Sequence, residues 1–122
     1  MENTLRRIFP RVEINKSVSY NGLDVHSNVI DRYMGVALNI SQNGIQLETD
    51  RMVEATHILL MFYDYRSNYV AAKGKAVYSK QDVSGKFKTG INLQGTPQKN
   101  LQFIKKLIKS YHYQKKVPIF IS

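Results

Sequence analysis

Two short stretches of this sequence carry side chains suited to gripping a phosphorylated, aromatic ligand. The first is Arg6-Arg7-Ile8-Phe9-Pro10-Arg11. A guanidinium is planar and permanently charged. It bonds bidentately to phosphate or to the O6 and N7 edge of guanine, and it stacks on a base. Pro10 turns Phe9 away from helical geometry, so the segment is expected to be an extended or turning arm. On such an arm Arg7 and Arg11 can close on a ligand from different sides. The second stretch is Asn39-Ile40-Ser41-Gln42-Asn43-Gly44. Strand alternation places Ile40 in a core and turns Asn39 and Ser41 to the opposite face, where an amide and a hydroxyl converge. Gly44 lets a flat ring approach the backbone and tolerates positive φ. Asn43-Gly44 is also a hairpin signal in its own right.

No other constellation suggests catalysis. His26, His57 and His112 are scattered and match no metal-ligand spacing. Glu48 and Asp50 share a strand face, but nothing supplies a matching acid, base or metal, and they are read as solvated. No glycine-rich phosphate loop is present. The expectation is no catalytic residue, no metal and no cofactor, and hence no enzyme.

The elements that must position these groups are mostly strands. Val12, Ile14, Val18 and Tyr20 mark a first one. Val36, Leu38 and Ile40 point one way on a second, with Ala37, Asn39 and Ser41 opposite. Ile45 and Leu47 continue the apolar face. His57–Asp64 is apolar on both faces. Val70, Ala72, Ala76 and Tyr78 share a face of the next run, and Phe87, Thr89, Ile91 and Leu93 make another. Asn21-Gly22, Asn43-Gly44, Arg66-Ser67-Asn68 and Ser84-Gly85 read as turns. Such spacing points to a small antiparallel barrel or sandwich. A helix follows, with Thr96 as N-cap, Pro97 as its first residue, and Leu101, Ile104, Leu107, Ile108 and Tyr111 as its core stripe.

The chain has 122 residues, 43% of them apolar and 22% charged, which suits one globular domain. The expected division is an arm at 1–11, a barrel at about 12–94, a helix at about 97–112 and a tail at 113–122. There is no cysteine and no run long enough to span a membrane. The reading is a soluble, cytoplasmic protein. The formal charge of +9 is uneven: Arg6, Arg7 and Arg11 cluster, and from residue 83 onward there are eight lysines and no acid. Two basic zones suggest anionic partners, although spaced lysines on a helix face are read mainly as solvated surface. The apolar end of the Lys115–Ser122 tail and the strand at Ile58–Tyr63 are candidate contact surfaces.

Taken together, R-x-x-x-R at Arg7 and Arg11 and [D/N]-x-S-x-x-G at Asn39, Ser41 and Gly44 resemble the PilZ domain family. Gly90-Ile91-Asn92-Leu93 sits where that family has a late Gly-x-x-Phe-like strand, with Leu93 in place of the aromatic. The resemblance covers the chain from about Leu5 to Tyr111. It implies a six-stranded antiparallel β-barrel with a C-terminal α-helix, and a ligand, cyclic di-GMP. It also implies roles: Arg7 and Arg11 on phosphates and guanine edges, Asn39 and Ser41 hydrogen-bonded to guanine or phosphate, and Gly44 leaving room for a base. Arg6 matches an extra arginine that would favour two intercalated copies of the dinucleotide. Asn39 replaces the commoner Asp, giving one neutral acceptor oxygen instead of a charged pair. The implied partner is a protein effector of motility, adhesion or exopolysaccharide machinery. The alternatives are a basic barrel binding single-stranded nucleic acid through tyrosines such as Tyr63, Tyr65, Tyr69 and Tyr78, and a PilZ-like interaction module without ligand.

Overall fold

The computed structural model describes residues 11–41 and 43–116. Its strands are β1 (Val12–Leu23), β2 (Val29–Ile40), β3 (Gly44–Thr49), β4 (His57–Tyr63), β5 (Tyr69–Gln81) and β6 (Phe87–Leu93), followed by helix α1 (Pro97–Lys116). All neighbours pair antiparallel, and the order β1-β2-β3-β6-β5-β4 closes into a barrel. The mainly β, six-stranded barrel with a C-terminal helix is therefore the fold of this chain. Two meanders, β1-β2-β3 and β4-β5-β6, are joined along β1–β4 and β3–β6.

The inward faces build one core. Ile14, Val18, Tyr20, Ala37, Ile40, Ile45, Leu47, Ile58, Leu60, Phe62, Val70, Ile91 and Leu93 are buried there with Phe103, Ile104 and Leu107 of α1. The helix packs against β1 and β5. The Phe103 ring meets Phe62 edge-on, with centroids 5.4 Å apart. Lys16 is buried beside this contact, its ammonium 6.0 Å from the Phe62 ring centre, and desolvation lowers its pKa.

Helix α1 starts as expected, with the Lys99 amide donating to Thr96 Oγ1 at 3.2 Å. It runs on to Lys116, past the expected end. Its buried face also differs. Leu101 is exposed, and the fully buried positions are Asn100, Phe103, Ile104, Leu107 and Ser110, with Ile108 and Tyr111 partly buried against the core as expected. The fully buried set keeps the helical three-and-four spacing but is turned by about one residue. Asn100 holds the entry to the helix: its Oδ1 accepts from the Gly95 amide at 3.0 Å, and its Nδ2 donates to the carbonyls of Gly95 at 3.2 Å and Leu93 at 3.4 Å.

Other expectations need correction. Asn21-Gly22 is not a turn, because both residues lie inside β1. Gly22 is there for close approach: a Cβ would run into the Asp31 carboxylate, which accepts the Gly22 amide at 2.9 Å. The turn comes later, at Asp24–Asn28, with Ser27 at φ 66°. In β2 the alternation breaks. Ala37 and Ile40 are both buried, while Val36 and Leu38 are only partly covered. A bulge at Leu38, seen as a register shift between Ala37 and Asn39 against β3, moves the inward face by one residue. A second shift, between Ala76 and Tyr78 against β6, turns Tyr78 outward, away from the face of Val70 and Ala76.

Candidate functional site

The bulge in β2 is what aims Asn39. Without it, Ala37 and Asn39 would share a face; with it, Ala37 stays in the core and Asn39 faces out, just before Ser41. The turn that follows is closed by the Ser41 amide donating to the Gly44 carbonyl at 2.9 Å. Gly44 is not in a positive-φ conformation, so its expected left-handed tolerance is unused. Its missing side chain matters instead: a Cβ there would lie 3.1 Å from Ser41 Oγ and 3.8 Å from Asn92 Oδ1.

Arg11, Asn39, Ser41 and Gly44 line one open depression on the outer wall, together with Gln46, Val77, Tyr78, Gly90 and Asn92; it leaves ≈ 150 Å³ of space for water-sized groups. Four of the expected site residues, from two separate stretches of the sequence, are thus brought together. Arg6 and Arg7 lie outside the described residues, as does the stretch 117–122.

Reasoning from the sequence did not place Gln46, Tyr78, Gly90 or Asn92 in this site. Four positions form a row across the wall: Asn39 pairs with Gln46, Gln46 with Gly90, and Gly90 with Tyr78. Asn39 Nδ2 donates to Gln46 Oε1 at 3.1 Å, and Gln46 Nε2 donates to the Tyr78 hydroxyl oxygen at 3.0 Å. Gly90 makes that reach feasible, since a Cβ on it would run into the Tyr78 ring. Tyr78 remains 41% exposed and offers an aromatic face at the rim. A glycine inside a strand run is a signal of close approach, and Gly90 could have been read that way.

Glu48 and Asp50 are not simply solvated. Lys88 lies 2.6 Å from Asp82 and 3.5 Å from Glu48, and Lys86 lies 2.7 Å from Asp50. The Lys88 contact, aided by the Ser84 hydroxyl, holds the Asp82 carboxyl well below the usual carboxylate range, and Lys86 lowers Asp50. These are surface ion pairs around the Asp82–Lys86 hairpin, and they show no reactive acid-base arrangement. Among the described residues no group of three or more His, Asp or Glu side chains is placed to hold a metal, and no helix is long and apolar enough to cross a membrane.

What the depression can do follows from its lining. Arg11 supplies a permanent cation, Asn39, Ser41 and Asn92 supply short polar groups, Tyr78 supplies a flat ring, and two glycines keep the floor low. That combination suits an anion bearing planar heterocycles.

No protein-family model matches the chain, and no relative is found among curated proteins. Solved structures do share its fold. The inhibitor of motility MotI/DgrA from Bacillus subtilis superposes with a TM-score of 0.61 at 14% identity, over 93% of this chain and 54% of that one. MrkH from K. pneumonia in its apo state gives 0.54 at 12% identity, over 88% and 51%. The MrkH complex with c-di-GMP gives 0.54 at 15% identity, over 91% and 56%. This chain spans about half the length of each of these proteins. At such identities the likeness is one of fold.

Proposed function

We propose that this chain is a PilZ-type receptor that binds cyclic di-GMP in the Arg11–Asn39–Ser41–Gly44 depression and passes the signal to a protein partner. The observation that carries the reading is the convergence of those four residues, picked out from sequence motifs alone, on a single depression. A solved protein of the same fold is a complex with this ligand, which supports the choice.

In this reading the Leu5–Arg11 arm closes over the ligand, with Arg7 and Arg11 on phosphates and guanine edges and Arg6 favouring a second copy. Asn39 and Ser41 hold a base or phosphate. Closure of the arm changes the surface offered to an effector of motility, adhesion or exopolysaccharide machinery. The protein works in the cytoplasm, without cofactor or catalysis.

The test is calorimetry with cyclic di-GMP on the purified chain. Charge-assisted arginine bonds of about 1.5–3 kcal/mol each, with stacking, reach roughly micromolar affinity. No heat at tens of micromolar protein would sink the reading. Linear GMP should not compete. A steep salt dependence with oligonucleotides, in place of saturation by cyclic di-GMP, would favour a single-strand binder.

A further inference from the structure

The turn between β4 and β5 meets the second half of α1 at another hollow, which shares no residue with the depression. It has a volume of ≈ 270 Å³ and is lined by Asp64, Tyr65, Arg66, Asn68, Lys106 and Lys109. Arg66 comes from the turn. Lys106 and Lys109, three apart, come from one side of the helix. Two of these cations are held against Tyr65: the Arg66 guanidinium lies 5.4 Å and the Lys109 ammonium 5.3 Å from its ring centre, with the Tyr113 ring 4.8 Å away. The carboxylate in the lining, Asp64, is engaged by its own turn, where Oδ1 accepts the amides of Arg66 at 2.9 Å and Asn68 at 2.8 Å. Lys86 and Lys88 stand in ion pairs, but among the described residues Arg66, Lys106 and Lys109 do not.

Charges of one sign gathered around a concavity focus their field on it and draw in an anion. The shape narrows the choice. A hollow receives a group that projects, such as a carboxylate at the end of a side chain, whereas a flat lipid surface meets only its rim. Tyr65 already has two cations and Tyr113 against its ring, which makes it a poor platform for stacking a base. We propose that this hollow is the docking site for an acidic segment of a protein partner, with an Asp or Glu side chain entering among Arg66, Lys106 and Lys109. The inference rests on the receptor reading only in supposing that a protein partner exists. It does not require cyclic di-GMP to bind.

The test is an NMR titration of the isotope-labelled full chain with a hexaglutamate peptide at low salt. The largest amide shifts should fall at Tyr65, Arg66, Lys106 and Lys109, and they should saturate. Lys106→Gln with Lys109→Gln should weaken binding about tenfold or more, the loss of charge-assisted bonds. Lys75→Gln with Lys99→Gln removes the same charge elsewhere and should cost less than about twofold, because distant exposed charges are screened. Shifts spread evenly over the lysines, or equal losses in the two variants, mean that net charge alone attracts the peptide and overturn the proposal. Vesicles of phosphatidylglycerol and an oligo-dT strand are titrated in parallel. Tighter binding of either one at the hollow overturns the choice of an acidic peptide. If cyclic di-GMP fails to bind while hexaglutamate still maps to the hollow, the ligand reading falls and the docking site stands. If cyclic di-GMP binds and hexaglutamate does not map there, the docking site falls alone.

Discussion

At the scale of single residues, the roles of Arg11, Asn100 and Ser110 separate cleanly. Arg11 lines the depression, and it stands one residue before β1 begins. Arg11→Ala should abolish cyclic di-GMP binding in calorimetry while moving the melting temperature of the free protein by no more than a degree or two, since surface changes stay within about 0.5 kcal/mol. A large loss of stability would make it a structural residue. Asn100 is the reverse case. It is buried and serves three backbone groups at the β6–α1 junction. Asn100→Ala should cost about 1–3 kcal/mol in urea unfolding by leaving those groups unpaired. Ser110 is buried with its hydroxyl unpaired. Ser110→Ala removes a desolvated polar group from a helix, so the same measurement should show no loss, or a gain of up to about 1 kcal/mol.

At the scale of elements, two features carry most of the design: the bulges and the hairpin loops. Each bulge re-aims one side chain of the site, Asn39 in β2 and Tyr78 in β5. Strand existence was legible from alternation, as were the helix start at Thr96-Pro97 and the outward turn of Asn39. Bulges were not legible, because an inserted residue leaves both flanking runs properly alternating and shows only in the partner's register. That is why plain alternation puts Tyr78 on the face of Val70 and Ala76, away from the site. On the helix, Ile104, Leu107, Ile108 and Tyr111 pack on the core as expected, and the exposed Leu101 and the buried Asn100 and Ser110 are what the apolar stripe does not show. Asn100 and Ser110 are polar, and polarity hides a buried face from a count of apolar residues.

The hairpin loops share one pattern. Asp24, Asp64 and Asp82 each open a five-residue turn whose fourth residue, Ser27, Ser67 or Gly85, has φ of 66°, 66° and 92°. In each, Oδ1 of the aspartate accepts the amide two residues on, at 2.8–2.9 Å. The repeated D-x-x-[S/G] spacing was present in the sequence. Near the first loop Asn21-Gly22 is the stronger turn signal, but it lies inside β1. These bonds set a pH dependence. The amides of Asn28 and Asn68 hold Asp24 and Asp64 below the ordinary carboxylate value of 3.8, and Lys88 holds Asp82 lower still. The unfolded chain therefore takes up protons first as pH falls. The stabilisation is complete above that ordinary value and is lost progressively below it. Melting temperature should drop as the pH falls below roughly 4, and the drop should be smaller in Asp64→Asn. An unchanged drop would place the linkage elsewhere.

At the scale of the whole molecule, the helix is part of the barrel's core. Phe103 fills the space beside Phe62, so Phe103→Ala should cost about 3–5 kcal/mol in unfolding experiments. Truncation before Pro97 should leave a barrel that does not melt cooperatively. The resemblance stated from short motifs anticipated this architecture, barrel and helix together. Composition and charge alone reach only one basic globular domain, and strand alternation reaches a small antiparallel barrel or sandwich.

The way the barrel closes has a kinetic consequence. Its two meanders form from neighbouring stretches of chain, but β3 must wait for β6, the last strand, before that side can zip shut. Pairings so distant in sequence are the slow step expected in folding a barrel. The depression straddles that late joint, with Asn39, Ser41 and Gln46 on the early meander and Tyr78, Gly90 and Asn92 on the late one. A ligand seated there would bridge the two meanders across the β3–β6 joint. Its arrival should slow amide hydrogen exchange along β3 and β6 more than along β1 and β2, and lengthen the lifetime of the native state.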